Sequence, residues 1–264
     1  MGQTVVVTAE TQEQRRVREQ RRGLFDSVAE LYEAARQGYP GEIVDAVVAN
    51  AAVGPGDAVL EIGCGTGQLT RQLAGRGLGL TAIDIGPAMV GVARRNVADG
   101  TARFHVCSFE DFAGRGPFGL IVSATAFHWV DPEVGLAKAA RLLRPGGWLA
   151  LLTTGERYPE PLGSRLRELW MRYSRQSSWP GQPAWLTALR DSGLFGATVE
   201  ATHTQALRLP AETVIDVEST RATFLSCTEH DQAGFTAGLQ ALVTPGSHID
   251  LLQETFLAMA PAAT

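Results

Sequence analysis

Three alternating glycines form the stretch of this sequence that is best suited to bind a ligand. Residues 58–67 read AVLEIGCGTG, so Gly63, Gly65 and Gly67 directly follow a short apolar run. Apolar residues then recur at helical spacing, which predicts a buried strand, a glycine turn and the start of a helix. Glycines let a ligand approach bare backbone, and the first amides of a helix are free to bind it.

Two carboxylates accompany the turn and narrow the choice of ligand. Glu61 precedes the first glycine, and Asp84 ends the next predicted strand. The third glycine comes too early for the G-x-G-x-x-G fingerprint of nicotinamide dinucleotides. A carboxylate at the end of the second strand can accept both hydroxyls of a ribose that has no 2′-phosphate. The alternatives are an ordinary tight connection at the glycines and a helix-capping role for Asp84.

Strands and helices alternate through the first part of the chain, which is typical of a parallel sheet covered on both faces. Ligands of such sheets bind beyond the carboxyl ends of the strands. We therefore expect the loops at Gly63, Asp84, Ser108 and Ala124 to share one edge. Strands are predicted over residues 58–62, 79–84, 102–107, 118–124, 148–153, 197–209 and 249–259; beyond residue 154, helices are predicted over 160–176, 184–192, 211–225 and 230–243.

Size and composition limit the function classes. The chain has 264 residues, a net charge of −5 and 45% hydrophobic residues, which fits one α/β domain with an elaboration. An acidic balance argues against a nucleic-acid partner. The three cysteines have no metal-ligand spacing, so we expect reduced thiols and no metal. No apolar run approaches 18 residues, and residues 1–22 are too charged for a secretory signal, so we expect a cytoplasmic protein without a membrane partner.

Several motifs resemble one enzyme family. Glu61-x-Gly63-x-Gly65-x-Gly67 with Asp84 is similar to the signature of class I S-adenosylmethionine (SAM) dependent methyltransferases. Three further stretches resemble the branch that includes trans-aconitate methyltransferases, namely FDSVAELY from Phe25, AFHW from Ala126 and LRPGG from Leu143. The resemblance implies a Rossmann-like, seven-stranded, mostly parallel α/β sheet of order 3-2-1-4-5-7-6, with the last-numbered strand antiparallel and inserted helices forming a cap.

The same resemblance implies a domain layout and roles for individual residues. Residues 1–23 are expected to form an N-terminal arm or helix, 24–155 the SAM-binding core, and 156–264 the cap helices and last strands of the same domain. The residues implied to bind SAM, with S-adenosylhomocysteine as product, are Tyr39, Glu61, Gly63, Cys64, Gly65, Asp84, Ile85, Met89, Ser108, Phe109, Glu110 and Ala124. Family members often carry an acidic residue where this chain has Ser108.

The acceptor side of the site is less defined by sequence. His128 follows the fourth strand, where a neutral imidazole can take a proton from a hydroxyl or amine; a structural histidine is the alternative. Side chains that either line an acceptor pocket or pack in the cap are Phe127, Trp129, Trp170, Tyr173, Trp179 and Trp185. The sequence thus predicts methyl transfer to an O or N atom of a small molecule, by a monomer or homodimer. Methylation of an activated carbon, and SAM binding without transfer, remain alternatives.

Overall fold

Seven strands form the framework of the fold. The computed structural model describes residues 23–174 and 183–263, so the predicted N-terminal arm lies outside it apart from Gly23, as does Trp179. The strands are β1 (Ala58–Ile62), β2 (Gly79–Asp84), β3 (Ala102–Val106), β4 (Phe118–Ala124), β5 (Leu143–Arg157), β6 (Val199–Pro210) and β7 (His248–Pro261).

The strand order is β3-β2-β1-β4-β5-β7-β6, as predicted. The pairs among β1 to β5 are parallel, whereas β7 pairs antiparallel with both β5 and β6. Every residue of β4 is buried, as expected for a central strand covered on both faces. The carboxyl ends of β1, β2 and β4 therefore meet at one edge, at the point where the strand order reverses.

Helices cover both faces of the sheet and extend beyond it. Two short 3₁₀ helices, Gly23–Val28 and Phe127–Trp129, lie among them. The α-helices are α1 (Ala29–Ala35), α2 (Gly41–Asn50), α3 (Gln68–Ala74), α4 (Pro87–Asn96), α5 (Pro132–Leu142), α6 (Leu162–Tyr173), α7 (Ala184–Asp191), α8 (Ala211–Ser219), α9 (Ala222–Leu225) and α10 (Glu229–Leu242).

The predicted helix over 211–225 is wrong in its continuity, because the chain breaks between α8 and α9. Thr220 turns its hydroxyl back onto the carbonyl of Val217 at 2.9 Å. Arg221 has extended backbone with ψ 139°, so its side chain leaves the helix and reaches two glutamates. The Arg221 guanidinium donates to Glu218 at 2.8 Å and to Glu156 at 2.6 Å. The ion pairs made by Arg221 give a tertiary reason for a break that helix periodicity does not reveal.

Three large apolar clusters make most of the core of the described residues. Helices α2 and α3 pack on one face of the sheet with Val59 and Leu120. Helices α5 and α7 pack on the other face with Leu60 and Ile121. The alternation of burial partners along β1 and β4 follows from side chains that point to opposite faces of a strand. A third cluster joins α6, α8 and α10 in the cap, and none of the helices in residues 23–174 and 183–263 is long and apolar enough to cross a membrane.

Candidate active site

A cleft of about 740 Å³, including its open mouth, lies at the carboxyl edge of the sheet. Its lining comes from four parts of the chain: the 3₁₀ helix and α1, the ends of β1 and β2, the loop after β3 and the loop after β4. The lining residues are Phe25, Asp26, Tyr32, Ile62, Gly63, Gly65, Ile83, Asp84, Ile85, Gly86, Met89, Cys107, Phe109, Ala124, Thr125, Ala126, Trp129 and Val130. A concave, mostly apolar lining with a few polar groups is typical of a small-molecule site.

The glycine turn forms one wall of the cleft, and its backbone requires glycine. Gly63 and Gly65 have φ angles of 71° and 52°, which side chains rarely adopt. A Cβ at Gly63 would lie 2.2 Å from the Cβ of Ala126, whereas one at Gly65 would meet nothing within 4 Å. Gly63 therefore lets the loops after β1 and β4 pack together, and Gly65 leaves open space beside the cleft.

Asp84 links the turns that follow β1 and β2. One carboxylate oxygen accepts the amide of Gly65 at 2.9 Å, and the other accepts the amide of Gly86 at 2.9 Å. Burial raises the pKa of Asp84, while these two amides favour the ionised form and oppose that shift. Each carboxylate oxygen accepts more than one hydrogen bond, so Asp84 can also receive ligand hydroxyls.

Eight of the residues predicted at the site lie in the lining of the cleft. They are Gly63, Gly65, Asp84, Ile85, Met89, Phe109, Ala124 and Trp129. Phe109 is held by Lys138, the only lysine in the sequence. Its ammonium donates to the carbonyls of Glu110 and Phe112 at 3.0 and 2.7 Å and lies 5.4 Å from the Phe109 ring centroid. Lys138 thus fixes the loop after β3 against the cleft.

The other residues predicted to bind the cofactor lie outside the lining. The Cys64 side chain is buried against Ala82 and Val90. The Ser108 hydroxyl accepts the amide of Asp111 at 3.0 Å and donates to its carboxylate, which closes a local turn. The Glu110 carboxylate accepts the amide of Asp131 at 3.2 Å. These three side chains support loops next to the cleft, and their predicted contacts with a ligand stay predictions.

Tyr39 and Glu61 also lie behind the cleft wall. The Tyr39 hydroxyl is 3.3 Å from that of Thr125, a lining residue whose φ is 55°. Glu61 is buried, and its carboxyl group accepts the hydroxyl of Thr70 at 2.7 Å. Burial raises the pKa of Glu61 to about 8, with smaller contributions from Thr70, which lowers it, and from the charge of Asp84, which raises it. Glu61 is therefore mainly protonated at pH 7.

The residues predicted on the acceptor side separate into two groups. Phe127 is buried in the core beside α5 and α7, while His128 is exposed and its ring packs on Trp129 with centroids 4.7 Å apart. Desolvation by the surrounding protein lowers the pKa of His128 to about 4. The imidazole is therefore neutral at pH 7.

The second group lies in the cap, away from the lining of the cleft. Trp170 and Tyr173 belong to the apolar cluster of α6, α8 and α10. The indole of Trp170 donates to the carboxylate of Glu218 at 3.0 Å. Trp185 lies on α7 and packs in the core. Contact of Trp170 or Tyr173 with an acceptor therefore stays a prediction.

Sequence reasoning missed the lining residues that come from the N-terminal segment. Phe25, Asp26 and Tyr32 precede β1 and yet face the ends of β2 and β4. The three aromatic rings of Phe25, Tyr32 and Trp129 form edge contacts with centroid distances of 6.0 and 6.1 Å. The helical spacing of Phe25 and Tyr32 predicts one apolar helix face, but periodicity does not tell which part of the protein that face covers. Within the described residues, no group of His, Cys, Asp and Glu side chains is arranged to hold a metal ion.

Comparison with known proteins is consistent with this site. Residues 59–147 match the family model described as a methyltransferase domain. An uncharacterized methyltransferase of Mycobacterium tuberculosis is 37% identical over 128 residues, which are 48% of this chain and 51% of the relative. A ubiquinone biosynthesis O-methyltransferase of Xanthomonas campestris is 38% identical over 116 residues, 42% of this chain and 48% of the relative.

The chain spans about half the length of the curated relatives it matches. A solved structure of a candidate type II methyltransferase from Anaeromyxobacter dehalogenans covers 86% of this chain and 97% of its own, with a TM-score of 0.65 and 21% identity. That likeness extends the shared fold beyond the family match into the last strands. It does not identify an acceptor, because a fold alone does not determine the substrate.

The buried acid Glu61 gives a prediction for stability against pH. The carboxyl titrates near 8 when folded and near its model value of 4.5 when unfolded. Between these pH values the folded chain keeps a proton that the unfolded chain releases. We expect this group to lower the free energy of unfolding as pH rises from about 5 to 8, by up to about 1.4 kcal/mol per pH unit. Glu61→Gln should flatten this slope, as measured by urea unfolding at several pH values.

The control for this experiment is Glu168→Gln, which changes an exposed glutamate on α6. It should leave the slope of the wild-type protein unchanged. An unchanged slope in Glu61→Gln, with two-state unfolding preserved, would contradict the assignment of a protonated Glu61.

Proposed function

We propose that this chain is a class I methyltransferase that transfers the methyl group of SAM to an oxygen or nitrogen atom of a small-molecule acceptor. The observation that carries the proposal is the position of Asp84, which faces the cleft while it accepts the amide of Gly65. The methyltransferase domain match over residues 59–147 includes both residues. We assign the ribose hydroxyls to Asp84, the amino-acid part of SAM to the backbone at Gly63 and Gly65, and the adenine to Ile85, Met89 and Phe109.

The cleft suits this ligand by charge as well as by shape. SAM supplies a methyl group on a positively charged sulfonium, and transfer cancels that charge. Asp26 and Asp84 are acidic, and the described lining of the cleft contains no lysine, arginine or histidine. Such a lining favours a cationic ligand. Alignment of the two reactants and exclusion of water supply most of the acceleration that this displacement needs.

The acceptor in this proposal is an uncharged molecule with an apolar or aromatic part. Phe25, Tyr32 and Trp129 offer ring faces and edges at the cleft. Arg36 and Arg221, whose charges act on the lining residue Tyr32, are paired with Glu156 and Glu218. A free phosphate or carboxylate on the acceptor would therefore find no cation among the described lining residues. The relative from Xanthomonas campestris, described as a ubiquinone biosynthesis O-methyltransferase, is consistent with an O-methyl acceptor of this kind.

Two measurements test the proposal. Isothermal titration with SAM and S-adenosylhomocysteine separates a binder from a protein without this site. A turnover assay that detects S-adenosylhomocysteine should then respond to phenols and uncharged aromatic amines rather than to phosphorylated or carboxylated acceptors. Binding without turnover on any acceptor would favour a SAM-binding protein that transfers no methyl group. A product with a new C–CH₃ bond would favour the alternative of methylation at carbon.

Asp84 gives the sharpest prediction for binding. Asp84→Ala removes the proposed acceptor of the ribose hydroxyls, so we expect the dissociation constant of S-adenosylhomocysteine to rise at least about tenfold. The matched control is Asp57→Ala, because Asp57 also accepts a backbone amide, that of Gly54 at 2.8 Å, but lies outside the cleft lining. Titration calorimetry measures both, with thermal unfolding as the check on folding. Unchanged affinity in a folded Asp84→Ala protein would place the ribose elsewhere.

We propose His128, which lies outside the cleft lining but next to the lining residue Trp129 in sequence, as the base that accepts a proton from the acceptor. We expect His128→Ala to lower kcat at saturating substrates by about 10²-fold or more while the affinity for S-adenosylhomocysteine stays unchanged. Because the pKa of His128 is lowered, wild-type turnover should stay level from pH 8 to pH 6 rather than fall near pH 6.5. His105→Ala, on the edge strand β3, is the control. Full turnover of His128→Ala would leave that histidine a structural role.

A further inference from the structure

Helix α4 begins without a cap of its own. Its first residue is Pro87, and the residue before it is Gly86, which has no side chain that could accept a hydrogen bond. The amides of the first turn of a helix have no partner within the helix and need an acceptor from elsewhere. The start of α4 lies at the cleft, because Gly86 and Met89 are both lining residues.

Asp26 supplies the missing cap from the 3₁₀ helix at the start of the described chain. One of its carboxylate oxygens accepts the amide of Ala88 at 2.7 Å and that of Met89 at 3.2 Å. The two partners are 62 and 63 residues away in sequence. An acidic side chain at a helix N-terminus is also favoured by the helix dipole.

The local sequence at residue 86 is adapted to this contact. A Cβ on Gly86 would lie 2.7 Å from the Asp26 carboxylate oxygen and 3.2 Å from the Met89 side chain. The close approach of the two segments therefore depends on a residue without a side chain at that position. This is an observation independent of the hydrogen bonds, and it points to the same contact.

The remaining polar contacts of the segment from Gly23 to Ala35, which we name the cover segment, are exposed ion pairs. Glu30 pairs with Arg95 at the far end of α4, and Glu33 pairs with Arg71 of α3 at 2.6 Å. Exposed ion pairs contribute little to stability. Apolar contacts join the cover segment to α4 as well, through Ala29, Met89 and Val92. Among these contacts, the Asp26 cap is the one that gives the first backbone amides of α4 an acceptor.

We propose that Asp26 is a positioning residue for the ligand of the cleft: by capping α4 it holds the cover segment so that Phe25 and Tyr32 face Met89 and Asp84. Residues of α4 and of the cover segment line the same cleft and pack against each other. Without the hydrogen bonds from Asp26, the cover segment and the start of α4 separate more easily, which lowers the affinity for a ligand bound in the cleft. The role depends on the acceptor oxygen of Asp26 rather than on its charge.

Three variants of the full chain test this proposal. Asp26→Ala removes the cap, and Asp26→Asn keeps an acceptor oxygen but removes the charge. Thr228→Ala is the matched control, because the Thr228 hydroxyl caps α10 through the amide of Asp231 at 3.2 Å, far from the cleft lining. Loss of one cap costs a comparable amount of stability in each helix.

Hydrogen exchange of the ligand-free proteins is the first readout. We expect Asp26→Ala to speed exchange in residues 23–35 and at the start of α4, with Asp26→Asn close to wild type and Thr228→Ala altered only in α10. The second readout is binding of S-adenosylhomocysteine, which rests on the proposed function. Its dissociation constant should rise about tenfold in Asp26→Ala, less than about threefold in Asp26→Asn and not at all in Thr228→Ala.

Two results would overturn the role of Asp26. Wild-type exchange in Asp26→Ala would show that the cap does not hold the cover segment. Equal damage in Asp26→Asn and Asp26→Ala, or an equal loss of affinity in Thr228→Ala, would assign the effect to charge or to general stability. If the wild-type protein does not bind S-adenosylhomocysteine, the proposed function fails, and the exchange measurement still decides the role of Asp26.

Discussion

The pair of hydrogen bonds made by Asp84 is the constraint on which the cleft depends. The carboxylate accepts the amides of Gly65 and Gly86 at 2.9 Å each, so one side chain ties the turn after β1 to the turn after β2. Gly65 has a φ of 52° that favours glycine, whereas Gly86 leaves room for the Asp26 carboxylate beside it. Burial of the carboxylate is tolerated since the two amides compensate for lost water. The wall of the cleft at the glycine turn is therefore formed by backbone, and the strands of the sheet determine its position.

A second group of buried charges fastens the cap to this core. Glu218 receives hydrogen bonds from Tyr158 at 2.8 Å, Trp170 at 3.0 Å and Arg221 at 2.8 Å. Arg221 also binds Glu156, at the end of β5. Burial of such a cluster is costly unless each charge is paired and hydrogen-bonded, as it is here. Because Arg36 pairs with the same Glu156 and lies 5.4 Å from the Tyr32 ring, the cluster reaches the back of the cleft.

Much of the sheet could be predicted from sequence because its signals are local. The strands at 58–62, 79–84 and 118–124 have the predicted bounds, since each is an apolar run that ends at glycine, proline or a charged residue. Gly63, Gly65 and Asp84 could be placed at the site for the same reason. The break before Arg221 could not be predicted, because it is caused by partners on β5 and α8. The contacts of Asp26 could not be predicted either, because its partners are distant in sequence.

The side chains of Glu61 and Cys64 show where motif reasoning reaches its limit. A motif fixes the path of the backbone, and both residues lie on the predicted path, but their side chains turn into the protein. Glu61 accepts the Thr70 hydroxyl and so connects β1 to α3, the helix that follows the glycine turn. This contact gives Glu61 a role in supporting the turn, and its predicted contact with a ligand stays a prediction.

The family match covers only part of the chain, and this explains why the proposed methyl donor is better supported than the proposed acceptor. The family match ends at Gly147 and thus covers β1 to β4, the glycine turn and Asp84. The cap, from α6 onward, lies beyond that match and contains its own apolar cluster. The cover segment also precedes the match, yet Phe25 and Tyr32 line the cleft. The segments to which we assign the acceptor are therefore the ones outside the family match, and their aromatic rings and paired arginines are the basis of the proposed acceptor chemistry.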